Sequence, residues 1–258
     1  MKIRRKLPKP SRSGRPLYVV GYSSPISHLS DLQSWFDLEY GGPLTSKGKE
    51  SNAVEANSKA TLMSHGPWSA WLHMSVSLSE AEEWRNRLAW RHDCASAVIG
   101  AMTTSRLAID SILHAARLAR GLTLLTEGTA YDVTTQAYLN PADWQDRPLD
   151  RFRIRDHITV FQTEAADAGR EWFYTRGVSK FGLDDLETFR PMGLPNREVT
   201  EMLLDIADEI VSLGQSPNIG LALRIPTLGI SVQAIRHRTA YPGEAPLVLR
   251  EISWSPFA

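Results

Sequence analysis

The spacing of apolar residues changes along this chain, and that change most restricts its fold. Between residues 70 and 78 every second residue is aliphatic, which is the period of a strand with one buried face. Residues 104–120 and 196–213 instead place apolar side chains three and four positions apart, which predicts two amphipathic helices. This mixture predicts an α+β fold, a two-layer sandwich of a mixed, mostly antiparallel sheet with helices packed on one side.

Turn and capping residues divide the rest of the chain. Ser30 and Gln33 form a capping box for a short helix, and Gly121 and Gly214 are expected to end the two long helices. Residues 41–58 are polar and rich in small residues, so we expect a loop there. Apolar runs between turn residues predict further strands at 17–22, 95–102, 122–127, 158–163, 171–176, 185–190, 229–236 and 247–254.

The first sixteen residues differ in charge from everything after them. The chain carries 29 basic and 29 acidic residues, and seven of the basic ones lie in residues 1–16, which contain no acid. The remaining body therefore has an excess of seven acids. We predict a basic, proline-rich, disordered arm over residues 1–16 and a single α+β domain over residues 17–258.

The cysteine content indicates the compartment. A lone cysteine, Cys94, cannot form an internal disulfide and is typical of a reducing environment. The apolar runs are too short to cross a bilayer, and no apolar signal segment follows the basic N-terminus. We therefore expect a cytoplasmic protein with no membrane partner.

The sequence lacks the motifs of several large enzyme classes. It contains no Gly-rich phosphate loop, no G-x-G-x-x-G, no G-x-S-x-G and no H-E-x-x-H. Cysteine-rich zinc sites are excluded because only Cys94 is present. The segment Arg91-His92-Asp93-Cys94 admits an activated thiol, but an inert buried thiol is the commoner use of cysteine. We predict no cofactor and assign no catalytic residue.

Residues 175–187 are the densest candidate for chemistry. Two glycines bracket a basic and aromatic turn, and three carboxylates follow it. In a functional interpretation Arg176 and Lys180 hold an anion, while Asp185 and Glu187 serve as acid, base or metal ligands on one strand face. In a structural interpretation the segment is a tight strand-turn-strand corner whose charges pair locally.

Histidines and tryptophans supply the other candidate site residues. His73 and His157 could complete a metal site with Glu187, although isolated histidines are more often structural. Trp71 lies on the polar side of its strand, and exposed tryptophan with arginine is the composition of interaction hot spots. The predicted binding residues are Trp71, Arg176, Lys180, Arg4 and Arg5.

The same turn resembles a motif of an uncharacterised bacterial domain family of unknown function, written T-R-G-x-x-x-F-G-x-x-D-L-E. The matching residues are Thr175, Arg176, Gly177, Phe181, Gly182, Asp185, Leu186 and Glu187. The strand around His73 and the order of elements also resemble that family. The resemblance implies no reaction. Related small bacterial α+β proteins often lie beside toxins as immunity or accessory proteins, which is an analogy.

Three functional hypotheses remain open. The absent catalytic motifs and the acidic body favour a non-enzymatic protein–protein interaction protein, such as an immunity or accessory protein. The alternative is a metal-assisted hydrolase or transferase built on the turn at residues 175–187, with His73 or His157. The weaker alternative is nucleic-acid binding through the basic arm, which would depend strongly on salt.

Overall fold

From residue 15 onward the chain forms two compact units, which meet at residues 152 and 153 of the sequence. The structure is a computed structural model that describes residues 17–22, 28–48, 60–74, 95–101, 109–165, 169–191, 195–241 and 246–256. The N-terminal unit is Arg15–Phe152 and the C-terminal unit is Arg153–Ala258. The sequence marks no boundary near residue 152, and a single domain over residues 17–258 remains a prediction.

The N-terminal unit contains a seven-stranded sheet in the order β2-β3-β4-β5-β1-β6-β7, and every neighbouring pair is antiparallel. Its strands are β1 (Leu17–Tyr22), β2 (Leu44–Gly48), β3 (Ala60–His65), β4 (Trp68–Met74), β5 (Ala95–Ala101), β6 (Thr129–Asp132) and β7 (Ala137–Leu139). The alternation predicted for β4 is confirmed, since Ala70 and Leu72 are buried while Trp71 and His73 are only half-buried. The predicted strands at 17–22 and 95–102 are confirmed as β1 and β5.

Helices α1 (Leu29–Tyr40), α2 (Ile109–Thr126) and α3 (Pro141–Gln145) belong to the same unit. Leu32 and Phe36, one turn apart on α1, enter the core beside α2. Helix α2 contacts β1, β4, β5 and β6, so its long apolar face covers the middle of the sheet. The core therefore lies between this helix and these strands.

Helix α2 continues past the glycine that we expected to end it. Gly121 lies inside the helix, and the predicted strand over residues 122–127 is wrong because those residues form its last turns. A Cβ atom at Gly121 would lie 2.6 Å from the Trp35 ring and 2.9 Å from Leu32 Cδ1. The glycine therefore allows α1 to approach α2 closely instead of capping the helix.

Arg120, the residue before Gly121, lies buried between three helices. Its Nη1 donates to Glu39 Oε1 at 2.7 Å and to the Tyr40 hydroxyl at 2.9 Å on α1, and its Nε donates to the Trp144 carbonyl at 3.2 Å on α3. Arg117 similarly donates to the Leu149 carbonyl at 2.8 Å. These arginines stabilise the packing of the helices and not a helix end.

Two further local predictions for the N-terminal unit are corrected. The short helix begins after His28, whose N–H donates to Asp31 Oδ2 at 2.9 Å, so the Ser30–Gln33 capping box is wrong by two positions. The predicted loop over residues 41–58 contains β2. The arm at 1–16 and the Cys94 segment lie outside the described residues.

The C-terminal unit contains a six-stranded sheet in the order β11-β12-β13-β10-β9-β8. Its strands are β8 (Thr159–Glu164), β9 (Arg170–Arg176), β10 (Asp185–Pro191), β11 (Ala222–Ile225), β12 (Ile230–Ala240) and β13 (Leu247–Pro256). Five of these match predicted strands, and β11 was not anticipated. Strands β10 and β13 pair in parallel, and the other neighbouring strands of this sheet pair antiparallel.

Helix α4 (Asn196–Leu213) accompanies this sheet and contacts β8 and β9. Leu203, Ile206 and Ile210 are buried at helical spacing, as the apolar periodicity predicts. Gly214 ends the helix at φ 66, which confirms its predicted role, but the residue at the N-cap is Pro195 and not Asn196.

The architecture confirms the α+β prediction and its mostly antiparallel strands. The described strands form two sheets and not the single sheet that the sequence predicts, and the packing of the helices on one side stays a prediction. No helix in the described part of the chain combines the length and the mean hydropathy that a membrane span requires.

We expect Gly121→Ala to lower the free energy of unfolding by about 1–3 kcal/mol, although alanine is the better helix former. The added methyl would overlap the Trp35 ring, so helix α1 would have to move. Urea unfolding measures the effect. Ser212→Ala, at an exposed position of α4, is the control and should change stability by less than about 0.5 kcal/mol. Equal stability of Gly121→Ala and wild type would show that this helix contact is loose.

Candidate functional site

The turn singled out in the sequence joins β9 to β10. Residues Val178–Phe181 form a single 3-10 turn, and the glycines on either side of it have positive φ, 117 at Gly177 and 75 at Gly182. Only glycine adopts this backbone readily. The segment therefore has the geometry of the tight strand-turn-strand corner that the structural interpretation describes.

The buried Asp185 carboxylate stabilises this corner through hydrogen bonds. Its Oδ1 accepts bonds from the Thr175 hydroxyl and from the Val178 N–H, both at 3.0 Å, and the Thr175 hydroxyl in turn accepts from the Leu186 N–H at 2.8 Å. Burial raises the pKa of Asp185 to about 6, although these hydrogen bonds act in the opposite direction. Its Oδ2 has no hydrogen-bond partner among the described residues.

The two basic residues of the turn point inward as well. The Lys180 ammonium is buried and donates to the His157 carbonyl at 2.9 Å. Arg176 is only 2% exposed, and its guanidinium lies 5.7 Å from the centroid of the Phe161 ring. Neither side chain therefore offers its charge to an anion at the protein surface.

Glu187 is fully buried, and two residues donate hydrogen bonds to its carboxylate. Its Oε1 accepts from Arg238 Nε at 2.6 Å, its Oε2 accepts from Trp172 Nε1 at 2.8 Å, and Arg238 Nη2 completes a two-point contact with Oε2. An arginine that grips both carboxylate oxygens forms the strongest type of ion pair in proteins. The Glu187 carboxylate is therefore occupied by protein donors.

Glu187 lies on a sheet face that also carries a row of four neighbouring aromatic rings. Register places Phe161 opposite Tyr174 and Trp172 opposite Phe189. The ring centroids are 5.5 Å apart for Phe161 and Tyr174, 4.4 Å for Tyr174 and Trp172, and 6.3 Å for Trp172 and Phe189. The three interplanar angles are 13°, 31° and 11°, so two stacked pairs, tilted against each other, form a row across three strands.

Arginine guanidiniums lie against these rings at the distance of a cation–π contact. The carbon of the Arg170 guanidinium is 5.1 Å from the Phe189 centroid, and that of Arg238 is 5.1 Å from the Trp172 centroid. We call the whole set the arginine–aromatic face, and it consists of Phe161, Arg170, Trp172, Tyr174, Arg176, Phe189, Arg236 and Arg238.

A β-bulge puts two of these arginines on the face. The register between β12 and β13 shifts between Ala234 and Arg236, so Ala234 is opposite Ile252 while Arg236 is opposite Glu251. The alternation of side chains is thereby reversed, and both Arg236 and Arg238 point to the side of the aromatic stack. Arg236 also forms an ion pair with Glu251.

Exposure and charge differ between the two sides of this unit. The side chains of Phe161, Trp172 and Phe189 are half-buried, whereas Arg170 and Arg236 are exposed. Acidic residues concentrate on helix α4, namely Glu198, Glu201, Asp205, Asp208 and Glu209. Among the described residues, the apolar cluster at this face includes none from that helix. The exposed part of the arginine–aromatic face therefore carries Phe161, Trp172, Phe189, Arg170 and Arg236, whereas Tyr174 and Arg176 are buried.

The two histidines proposed as metal ligands lie in different units. His73 is on β4 of the N-terminal unit, and His157 is buried at the end of a 3-10 turn in the C-terminal unit. Across the described residues no three His, Cys, Asp or Glu side chains are grouped closely enough to hold a metal ion. Trp71, half-buried on β4, also belongs to the N-terminal unit, and Arg4 and Arg5 lie outside the described residues.

A separate buried histidine, His114, was not predicted. It lies on α2, where its Nε2 is 3.1 Å from the Met63 carbonyl and its ring is 5.6 Å from Phe36. The pKa of His114 is lowered to about 4, mainly because the side chain is buried; the hydrogen bond to the Met63 carbonyl opposes this, and the nearby His65 and Arg117 add to it. The imidazole is therefore neutral near pH 7 and donates through Nε2.

Sequence reasoning reached Arg176 and Glu187 but missed the rest of the arginine–aromatic face. One local signal was present, because Arg170, Trp172, Tyr174 and Arg176 alternate along β9 and so share one side. Arg238 is 51 positions from Glu187, so their contact has no local signal.

The described residues thus define an α+β protein with an arginine–aromatic sheet face in its C-terminal unit. No family model, no curated protein and no solved structure matches the chain. Its function is therefore inferred from the geometry of the molecule alone.

Proposed function

We propose that this chain is a non-enzymatic protein–protein interaction protein that contacts its partner through the arginine–aromatic face. One observation carries the proposal: half-exposed aromatic rings and arginines are concentrated on one sheet face. Tryptophan, tyrosine and arginine are the residue types that dominate binding energy at protein interfaces. The protein would act in the bacterial cytoplasm, as an immunity or accessory protein.

The carboxylates of the alternative metal-assisted reaction have other contacts. Glu187 is held by Arg238 and Trp172, and Asp185 accepts the bonds that close the turn. Their geometry supports a structural role for both side chains. Arg176, the other residue of that hypothesis, contacts aromatic rings.

Native co-purification tests the proposal directly. A C-terminally tagged protein is expected to retain a stoichiometric partner, and the double variant Arg170→Ala/Arg236→Ala is expected to lose at least about 90% of it because interface arginines contribute about 1–2 kcal/mol each. The matched control is Arg197→Ala/Arg224→Ala, which removes two exposed arginines elsewhere in the same unit and should leave the yield unchanged.

Three results would contradict the proposal. The first is a protein that is monomeric and partnerless in native lysate. The second is a partner retained equally by both double variants. The third is a partner lost on nuclease treatment or on deletion of residues 1–16, which would favour nucleic-acid binding through the arm.

A further inference from the structure

We propose that the segment bound by the arginine–aromatic face is an extended acidic peptide. This inference rests on the proposed function, and it adds the chemical nature of the partner surface. It follows from the unused donors of two arginines, from the orientation of the rings and from the way the arginines are held in place.

The arginines of this face retain N–H donors for a ligand. A guanidinium has five N–H groups. Arg238 uses Nε and Nη2 for Glu187, and Arg236 directs Nε at Glu251. Within the described residues the Nη1 group of Arg238 and both Nη groups of Arg236 have no hydrogen-bond partner, and the Arg236 side chain is 54% exposed. Carboxylates match this planar donor geometry.

The aromatic rings favour a peptide over a single-stranded nucleic acid. Proteins bind unpaired bases by stacking them on free ring faces. Here Phe161 stacks on Tyr174 and Trp172 stacks on Phe189, and guanidiniums lie over Trp172 and Phe189, so these ring faces already have partners within the protein. The ring edges carry partial positive charge and attract carboxylates.

The arginines are also held in place before a ligand arrives. Glu187 and Glu251 fix two of the guanidiniums through ion pairs, and the flanking rings restrict their rotation. Binding therefore has a smaller entropic cost than it would with free arginine side chains. An extended peptide directs every second side chain to one side, so alternating acidic residues would meet the face together.

A binding assay with synthetic probes tests this inference. The probe is a fluorescein-labelled peptide of alternating glutamate and tyrosine, roughly twelve residues long so that it spans the width of the sheet. Comparison probes are the lysine–tyrosine peptide and an oligothymidylate of the same length. We expect the acidic peptide alone to bind, with a Kd that rises as salt is added.

Substitutions of Arg236 test whether the acidic peptide binds at the arginine–aromatic face. Arg236→Ala should raise the Kd for the acidic peptide by about fivefold or more, Arg236→Lys should raise it less, and Arg197→Ala should leave it unchanged. Circular dichroism confirms that each variant is folded. Arg236→Lys keeps the positive charge beside Glu251, so it still tests the face if Arg236→Ala unfolds.

The inference is overturned if the acidic peptide does not bind, if the lysine peptide binds equally well, or if Arg236→Ala leaves the Kd unchanged. Tighter binding of the oligothymidylate would show that the face binds a single-stranded nucleic acid and not an acidic peptide. If a native partner still depends on Arg170 and Arg236 while the acidic peptide fails to bind, only this inference fails and the proposed function stands.

Discussion

Lowering the pH from 7 to 4 is expected to reduce the free energy of unfolding of an Asp185→Asn variant by about 3 kcal/mol more than that of Asp185→Asn/His114→Gln. The reason is that His114 has a pKa of about 4 in the folded protein and about 6.5 when unfolded. Between about pH 6.5 and pH 4, the unfolded chain therefore binds a proton at His114 that the folded chain does not bind. The contribution of neutral His114 is complete above pH 6.5 and is lost as the pH falls towards 4.

Glutamine is the informative replacement because its amide N–H can still donate to the Met63 carbonyl while it does not titrate. Urea unfolding at a series of pH values, followed by circular dichroism, measures the difference. If the two variants lose stability in parallel, the buried imidazole accepts a proton without opening the core between α2 and β3.

The Asp185→Asn background is needed because Asp185 titrates with the opposite sign. Burial raises the pKa of this carboxyl from 3.8 to about 6, so the folded state binds the proton more tightly than the unfolded chain. Its stabilising contribution is complete below pH 3.8 and is lost as the pH rises through 6. The wild-type protein combines the two opposite effects, and the His114→Gln single variant should gain about 2 kcal/mol between pH 7 and pH 4 from Asp185.

Replacing Glu187 by alanine is expected to lower the free energy of unfolding by about 3 kcal/mol at neutral pH. The substitution removes a fully buried carboxylate, leaves Arg238 without its counter-charge and leaves the Trp172 N–H without its acceptor. Breaking a buried ion pair from one side costs about 3–5 kcal/mol. We expect a loss of stability at the lower end of this range, because the Arg238 side chain is 32% exposed and water can hydrate it again.

Urea unfolding of three further variants separates the causes of that loss. Glu164→Ala is the control: this exposed carboxylate lies opposite Glu171, and its removal should cost less than about 0.5 kcal/mol. Glu187→Gln keeps the acceptor for Trp172 and should lose less than Glu187→Ala. The double variant Glu187→Ala/Arg238→Ala should recover part of the stability, because the unpaired charge is gone. A loss under 1 kcal/mol for Glu187→Ala would mean that the ion pair does not stabilise the sheet.

Local sequence predicted the elements whose signals lie within a few residues. The alternation through Leu72 predicted β4, the helical spacing of Leu203, Ile206 and Ile210 predicted α4, and paired glycines predicted the turn after β9. Each is a preference of the backbone or of a single periodic face. The predicted end of α2 at Gly121 was wrong, because a glycine that caps a helix and one that admits a neighbouring ring look alike in sequence.

The candidate site was predictable only in part. Arg176 and Glu187 were recognised in the dense segment after β9, but their partners come from other strands. Phe189 and Arg238 reach the face through strand register, and the bulge after Ala234 decides which side Arg238 points to. A shift of one residue in register would have sent these side chains to the opposite side.

The sequence by itself determined the α+β class, the positions of most described strands and the sharp corner between β9 and β10, since these follow from local periodicity and from glycine conformations. Only the tertiary structure decided that the Glu187 carboxylate is held by Arg238 and Trp172, and that four rings and four arginines share one side of a sheet. The physical reason is that such contacts join residues far apart in the chain, with Glu187 and Arg238 separated by 51 positions, and their pairing depends on strand order, register and one bulge.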